Sequence, residues 1–350
     1  MKKHLYKTVW ATVAVAALTA GAAVAVAEDI SGAGATFPYP IYAKWAEAYK
    51  QQTGVGLNYQ SIGSGGGIKQ IEASTVTFGA SDMPLKPEVL QQNGLVQWPM
   101  IIGGAVPVVN IPGIAAGALR LDGATIASIY MGDITRWNDA AIQKLNPTLK
   151  LPKLDIAPVY RSDGSGTNFL FTNYLSQESP TFAQKIGANT SVQWPVGLGA
   201  KGNEGVANQV TQTTGAIGYV EYAYVIQTHM TYARLRNRAG SFVAPSAQSF
   251  QEAASHADWA QSPGFYLLLT DQPGAGSWPI TGASFILMHA QSNDAHTTSA
   301  LKFFDWAYKQ GGTLAAQLDY VPIPASVQKL VQASWSKSLK VSGKAAWPAS

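Results

Sequence analysis

Three times along this chain a short apolar run ends in a hydroxyl residue and then passes into a segment with helical spacing. Thr36 stands before Phe37-Pro38, Ser64 before Gly65-Gly66-Gly67, and Ser165 before Gly166-Thr167. A chain that repeatedly turns a strand into a helix has few architectures open to it. It must lay helices against a sheet, so the pattern predicts an α/β fold with mainly parallel strands. The supporting elements can be read one by one. Tyr42, Trp45, Ala46 and Tyr49 recur at helical spacing over 38–52, and Pro38 sits near the helix start. Strands are expected over 56–60, 78–82, 156–161 and 215–220, with longer apolar runs at 100–110 and 278–288. Helices are expected over 68–73, 125–130, 168–175, 301–309 and 325–335. At 350 residues the chain exceeds what one typical core serves and predicts two domains, with a crossing near Ile111-Pro112-Gly113. No repeat of fixed period occurs.

The first 27 residues are set apart. Lys2, Lys3 and Lys7 form a basic start, Val9 to Val26 is apolar or small, and Ala25-Val26-Ala27 offers a small-x-small cleavage pattern. This reads as a secretory signal peptide cleaved after Ala27, with an uncleaved anchor as the alternative. Of 24 Lys and Arg, three lie in this segment, which leaves 21 against 20 Asp and Glu, a net of +1. The basic balance is thus partly an export signal and not a nucleic-acid footprint. The chain has no Cys, which excludes disulfides and thiolate chemistry. An exported soluble protein is expected.

The stretch Arg161 to Phe169 gathers a fixed cation, an acid, two hydroxyls and two glycines in one turn. The unpaired N–H groups of a following helix carry its positive dipole end, so the turn can seat an anion. Arg161 adds a charge that does not titrate away. An ordinary capped turn uses the same residue types, and so do ordinary N-caps at Thr36 and Ser64. Asp82, after the buried-looking Phe78-Gly79-Ala80-Ser81, sharpens the choice. A carboxylate beside an anion repels it unless the ligand brings a proton. Monohydrogen phosphate does so and sulfate does not, so an acceptor-only Asp would select by rejection. The alternative is a surface or capping Asp before Pro84.

Other patterns lead elsewhere. Gly197-Leu198-Gly199-Ala200-Lys201-Gly202 matches a dinucleotide fingerprint with Glu221 downstream, yet Trp194-Pro195 interrupts the strand that should precede it. Lys69 is followed by Gln70, so Ser64 to Gln70 is no P-loop. The histidines show no ligand spacing, and neither a metal nor a cofactor is expected. Asp122-Gly123 reads as turn and cap. The alternative reading makes Ser165 the nucleophile of a secreted serine hydrolase or phosphatase, but it lacks the G-x-S-x-G elbow and a partner base.

Ser31 to Pro38, Ile62 to Gly67, Phe78 to Asp82 and Arg161 to Phe169, in that order, resemble the periplasmic phosphate-binding protein of the high-affinity phosphate ABC importer. The resemblance continues through 194–203, 215–224 and 301–308. It implies a two-lobed α/β periplasmic-binding-protein fold of type II with the ligand in the interlobe cleft. The first lobe would be discontinuous, 28–109 with 280–350, and the second would be 110–279. It implies phosphate contacts from Thr36, the Phe37 N–H, Ser64, Arg161, Ser165, Gly166 and Thr167, with Asp82 accepting the ligand proton and Asp163 orienting Arg161. Gly65 is often serine in relatives. The protein would be a periplasmic monomer, not an enzyme, delivering phosphate to an inner-membrane permease.

Overall fold

The computed structural model describes residues 29–348, so the segment read as a signal peptide lies outside the described residues. β1 (Ile30–Gly34) pairs in parallel with β2 (Leu57–Ser61) and β3 (Phe78–Ser81), and α1 (Tyr39–Thr53) and α2 (Ser64–Glu72) connect them. After α3 (Pro87–Gln92) comes the long strand β4 (Leu95–Val109). There follow β5 (Arg120–Leu121), α4 (Gly123–Met131), α5 (Ala140–Leu145), β6 (Ala157–Arg161), α6 (Gly166–Glu178) and α7 (Pro180–Lys185). Next are β7 (Leu198–Ala200), α8 (Gly202–Gln212), β8 (Ala216–Glu221) and α9 (Tyr222–Thr228). β9 (Thr231–Tyr232) pairs with β4, while β10 (Arg234–Arg236) and β11 (Phe242–Val243) join β5 in a small sheet. β12 (Thr281–His289) then returns the chain to the main sheet, whose order is β2-β1-β3-β12-β4-β8-β6-β7.

The flanks of that sheet are parallel, but its centre is not. β12 runs antiparallel to both β3 and β4, and β4 runs antiparallel to β8. The expectation of mainly parallel pairing therefore fails at the middle. β4 carries the chain out of the first half of the sheet and β12 carries it back, so these two strands must oppose each other. Within β4, residues up to Gly104 pair with β12, whereas Ala105 to Val109 pair with β8. A Cβ on Gly104 would overlap the Phe250 ring, so glycine permits this switch. Trp278 braces it, donating from Nε1 to the Ala105 carbonyl at 3.0 Å.

α2 begins at Ser64, earlier than the sequence suggests, and takes the three glycines into its first turn. The reason is packing. A Cβ on Gly67 would lie 2.5 Å from the Gly34 Cα and 2.6 Å from the Ala33 carbonyl, so only glycine lets the helix lie this close to β1. Behind the sheet, Trp98 meets Phe304 and Trp335 edge-on, at centroid distances of 5.7 and 5.3 Å. Each large apolar side chain so buried contributes about 1.5–3 kcal/mol. The two halves of the sheet thus have a firm frame, and all their strand-to-helix turns open toward one crevice.

Candidate functional site

The carboxyl ends of β1, β2, β3, β6, β7 and β8 deliver Thr36, Ser64, Asp82, Arg161, Asn203 and Glu221 respectively, at or just past each strand end. Such ends, where strand order reverses, form the crevice that binds ligands in open α/β sheets. Only one of the three hydroxyls is the expected helix cap. Ser165 caps α6, accepting from the Asn168 N–H at 3.0 Å. Thr36 precedes the α1 cap, Pro38, and reaches across to α8. Ser64 lies inside α2, whose cap is Gly63 at φ 88°.

What these hydroxyls accept fixes what they can give. Thr36 Oγ1 accepts from the Asn203 N–H at 3.2 Å and from Asn203 Nδ2 at 2.6 Å. Ser64 Oγ accepts from the Asp82 and Gly166 N–H groups at 3.2 and 3.0 Å. Thr167 Oγ1 accepts from Asn203 Nδ2 at 3.3 Å. A hydroxyl whose lone pairs are occupied by N–H donors keeps its hydrogen for another acceptor. Four hydroxyls from both halves are prepared as donors in this way. The Phe37 N–H has no acceptor among the described residues.

The halves meet at glycine. Gly65 donates its N–H to the Gly164 carbonyl at 2.9 Å. A Cβ on Gly166 would sit 2.5 Å from both Asp82 Oδ2 and Ser64 Oγ, which places the start of α6 against the first half's acid and hydroxyl. A Cβ on Gly65 would lie 3.1 Å from the Gly164 Cα, so glycine on both sides keeps this seam close.

Two charged side chains face this seam. Arg161 is buried, 3% exposed, and Nε and Nη2 hold Asp163 bidentately at 2.8 and 2.6 Å. Asp163 also accepts the Gly202 N–H at 3.1 Å. Burial is the largest influence on its carboxyl and pushes it up, but Arg161 and Gly202 together outweigh that and leave it below the usual range. Arg161 Nη1 is buried with no partner among the described residues. Asp82, 1% exposed, has no partner on either oxygen among the described residues. Burial pushes it up to about 7. The Ser284 and Ser64 hydroxyls and the Arg161 charge oppose this, though neither hydroxyl closes a hydrogen bond to it. Asp82 is therefore neither a surface residue nor a cap.

Several participants were not singled out in the sequence. Asn203 ties Thr36 to Thr167 and accepts the Glu221 N–H at 2.9 Å. The Tyr224 hydroxyl holds the Thr36 carbonyl and the Tyr320 hydroxyl the Phe37 carbonyl, both at 2.6 Å, so the peptides flanking Phe37 are clamped. The fingerprint-like glycines at 197–202 carry no dinucleotide turn. They form β7 and open α8, where Gly202 and Asn203 serve this crevice. Among the described residues no three His, Asp or Glu side chains gather as a metal site.

A family model described as a PBP superfamily domain matches residues 19–310. "Phosphate-binding protein PstS" of Pasteurella multocida is 54% identical over 323 residues, 92% of this chain and 94% of that one. The chain belongs to the PstS family of phosphate-binding proteins. The PstS-family relatives are named phosphate-binding proteins and not enzymes, and Ser165 fits that: its Oγ caps α6, and no histidine pairs with it among the described residues. The fold is the two-lobed α/β periplasmic-binding architecture of type II. A phosphate-binding protein from Stenotrophomonas maltophilia superposes with a TM-score of 0.67 at 21% identity, covering 88% of this chain and 94% of that one. A periplasmic phosphate-binding protein solved with bound phosphate gives 0.71 at 20% identity, with 90% and 96% covered.

Proposed function

We propose that this protein captures inorganic phosphate in the periplasm and delivers it to an inner-membrane ABC importer. The signal peptide would be removed after Ala27, and a monomer would act. The lobes would be 28–109 with 280–350, and 110–279, crossing through β4 and around Trp278. The named relatives are phosphate-binding proteins, one of them periplasmic and solved with its ligand.

The observation that carries the reading is Asp82, a buried acid with no partner among the described residues, set beside hydroxyls and N–H groups poised to donate. Phosphate oxygens would take hydrogens from Thr36, Ser64, Ser165 and Thr167, from the N–H groups of Phe37, Gly166 and Thr167, and from Arg161 Nη1. The Gly166 N–H would exchange Ser64 for the ligand. Asp82 would take the proton that phosphate carries, a strong charge-assisted bond in which either oxygen can hold the hydrogen. Sulfate has no proton to offer, and its charge would face an unneutralised carboxylate. Each neutral bond contributes about 0.5–1.5 kcal/mol and each charged one about 1.5–3 kcal/mol, which suffices to hold the ion without a metal.

The test is to denature the protein as purified and assay the phosphate released, beside turnover of a chromogenic phosphate monoester and an ester. Close to one phosphate per chain with no turnover is expected. Turnover abolished by Ser165→Ala would instead support the hydrolase alternative.

A further inference from the structure

Glu221 is fully buried at the end of β8, yet it is not one of the donors to the anion. Its Oε2 accepts the Ala223 N–H and lies 2.8 Å from the Tyr320 hydroxyl. That same hydroxyl lies 2.6 Å from the Phe37 carbonyl. A phenol has one hydrogen, and here two oxygens that normally only accept compete for it. Were Glu221 ionised, either the Phe37 carbonyl or the carboxylate would face the phenol oxygen at hydrogen-bond distance with no hydrogen between. Oε1 has no partner among the described residues and is turned toward Gly103 and the Phe37 ring: a Cβ on Gly103 would lie 2.9 Å from Oε1 and 3.0 Å from the ring's Cζ. A full charge there would be unpaired in apolar surroundings.

One added hydrogen satisfies every contact. We propose that Glu221 carries a proton in the folded receptor and, donating it to Tyr320, acts as the positioning residue for Phe37. The chain of bonds runs from Glu221 Oε2–H to Tyr320 Oη, and from Tyr320 Oη–H to the Phe37 carbonyl. With Tyr224 on the Thr36 carbonyl, this fixes both peptides around the N–H offered to the ligand. The titratable groups that face Glu221 are Tyr320, Asp82, Tyr222 and Tyr224, and none of them is a cation. Burial first, with the Asp82 charge adding to it, holds its carboxyl well above the ordinary range, against the bonds from Tyr320 and Ala223. The exposed Glu204 makes the contrast, since it lies 2.9 Å from the Tyr224 hydroxyl at the crevice rim, where water can serve it.

The role assigned to Phe37 rests on the phosphate reading, but the proton does not, and the experiment separates the two. Infrared difference spectra at about pH 8, where an ordinary carboxyl is ionised, compare the full protein with Glu221→Gln and Asp82→Asn. A neutral carboxylic-acid carbonyl band that disappears in E221Q and persists in D82N is expected. Loss of carboxylate bands in E221Q instead would overturn the proposal. Phosphate titration then reads the positioning role. Y320F is expected to bind about tenfold more weakly, as for one lost buried hydrogen bond. E221A should weaken binding similarly, and E221Q should retain most of the parent's affinity. If Y320F binds phosphate as tightly as the parent, the positioning role is wrong even with the acid band present. If no variant and not the parent binds phosphate, the phosphate reading fails while the band still reports the proton.

Discussion

Arg161 and Asp82 lie across one seam and are about equally buried, but they are prepared in opposite ways. The guanidinium is matched by Asp163 on two of its three nitrogens, so it is held rigid with one donor left over. The carboxylate of Asp82 is matched by nothing. Counting Arg161, Asp163 and an ionised Asp82, the site has one more negative charge than positive. An anion is therefore not drawn here by net charge. On the proposed reading, hydrogen-bond donors and the α6 N-terminus hold it, and the unpaired acid decides which anion is accepted.

The sharpest way to break this contrast is to remove the satisfied charge. Arg161→Ala would leave the partly buried Asp163 without its partner and empty the space of a buried guanidinium, and it is expected to cost about 3–5 kcal/mol in denaturant unfolding. Removing the unsatisfied charge should act in the opposite direction. The Asp82 carboxyl rises from 3.8 to about 7 on folding, so folding favours its protonated form. Its destabilising effect is absent below about pH 4, grows as pH rises, and is complete above about pH 7. Asp82→Asn should thus stabilise the anion-free protein by an amount that grows over that window to about 2–4 kcal/mol. No gain at alkaline pH would mean that Asp82 has a counter-charge after all.

Weaker effects test the seam between the two residues. Gly166→Ala would force a Cβ against Asp82 and Ser64, and phosphate should bind about ten- to hundredfold more weakly by titration. Unchanged affinity would mean that the lobes do not meet on the ligand at this glycine. Smallest is the pH response of sulfate. As pH falls through about 7, Asp82 gains a hydrogen and becomes a donor, so weak sulfate binding should strengthen. The same titration on D82N should be flat.

How much of this was legible follows from how local each signal was. Thr36, Ser64, Asp82 and the Arg161 turn announce themselves because each sits in its own strand-to-helix turn, where residue type and backbone are coupled. Tyr224 and Tyr320 gave no such sign, and Asn203 and Glu221, though also at strand ends, lack the hydroxyl that marked the turns at Thr36, Ser64 and Ser165. The contacts of Asn203, Tyr224 and Tyr320 to Thr36 and Phe37 span between 167 and 283 residues, and only the fold makes them. The glycines after Ser64 misled in a different manner. They read as backbone freedom before a helix, whereas Gly67 is needed for the close approach of that helix to β1. The antiparallel centre was hidden for the same reason: β4 and β12 are apolar runs that fit either direction, and the return of the chain between lobes decides it.

The central claim is that an unpaired Asp82 selects the anion by accepting its proton. Calorimetric titration of phosphate and sulfate into the parent and into Asp82→Asn, at about pH 8 where the acid is ionised, tests it most directly. The account predicts a wide preference for phosphate in the parent and a gap narrowed about hundredfold or more in the variant, through weaker phosphate and stronger sulfate binding. A preference of the same size in both proteins would contradict it.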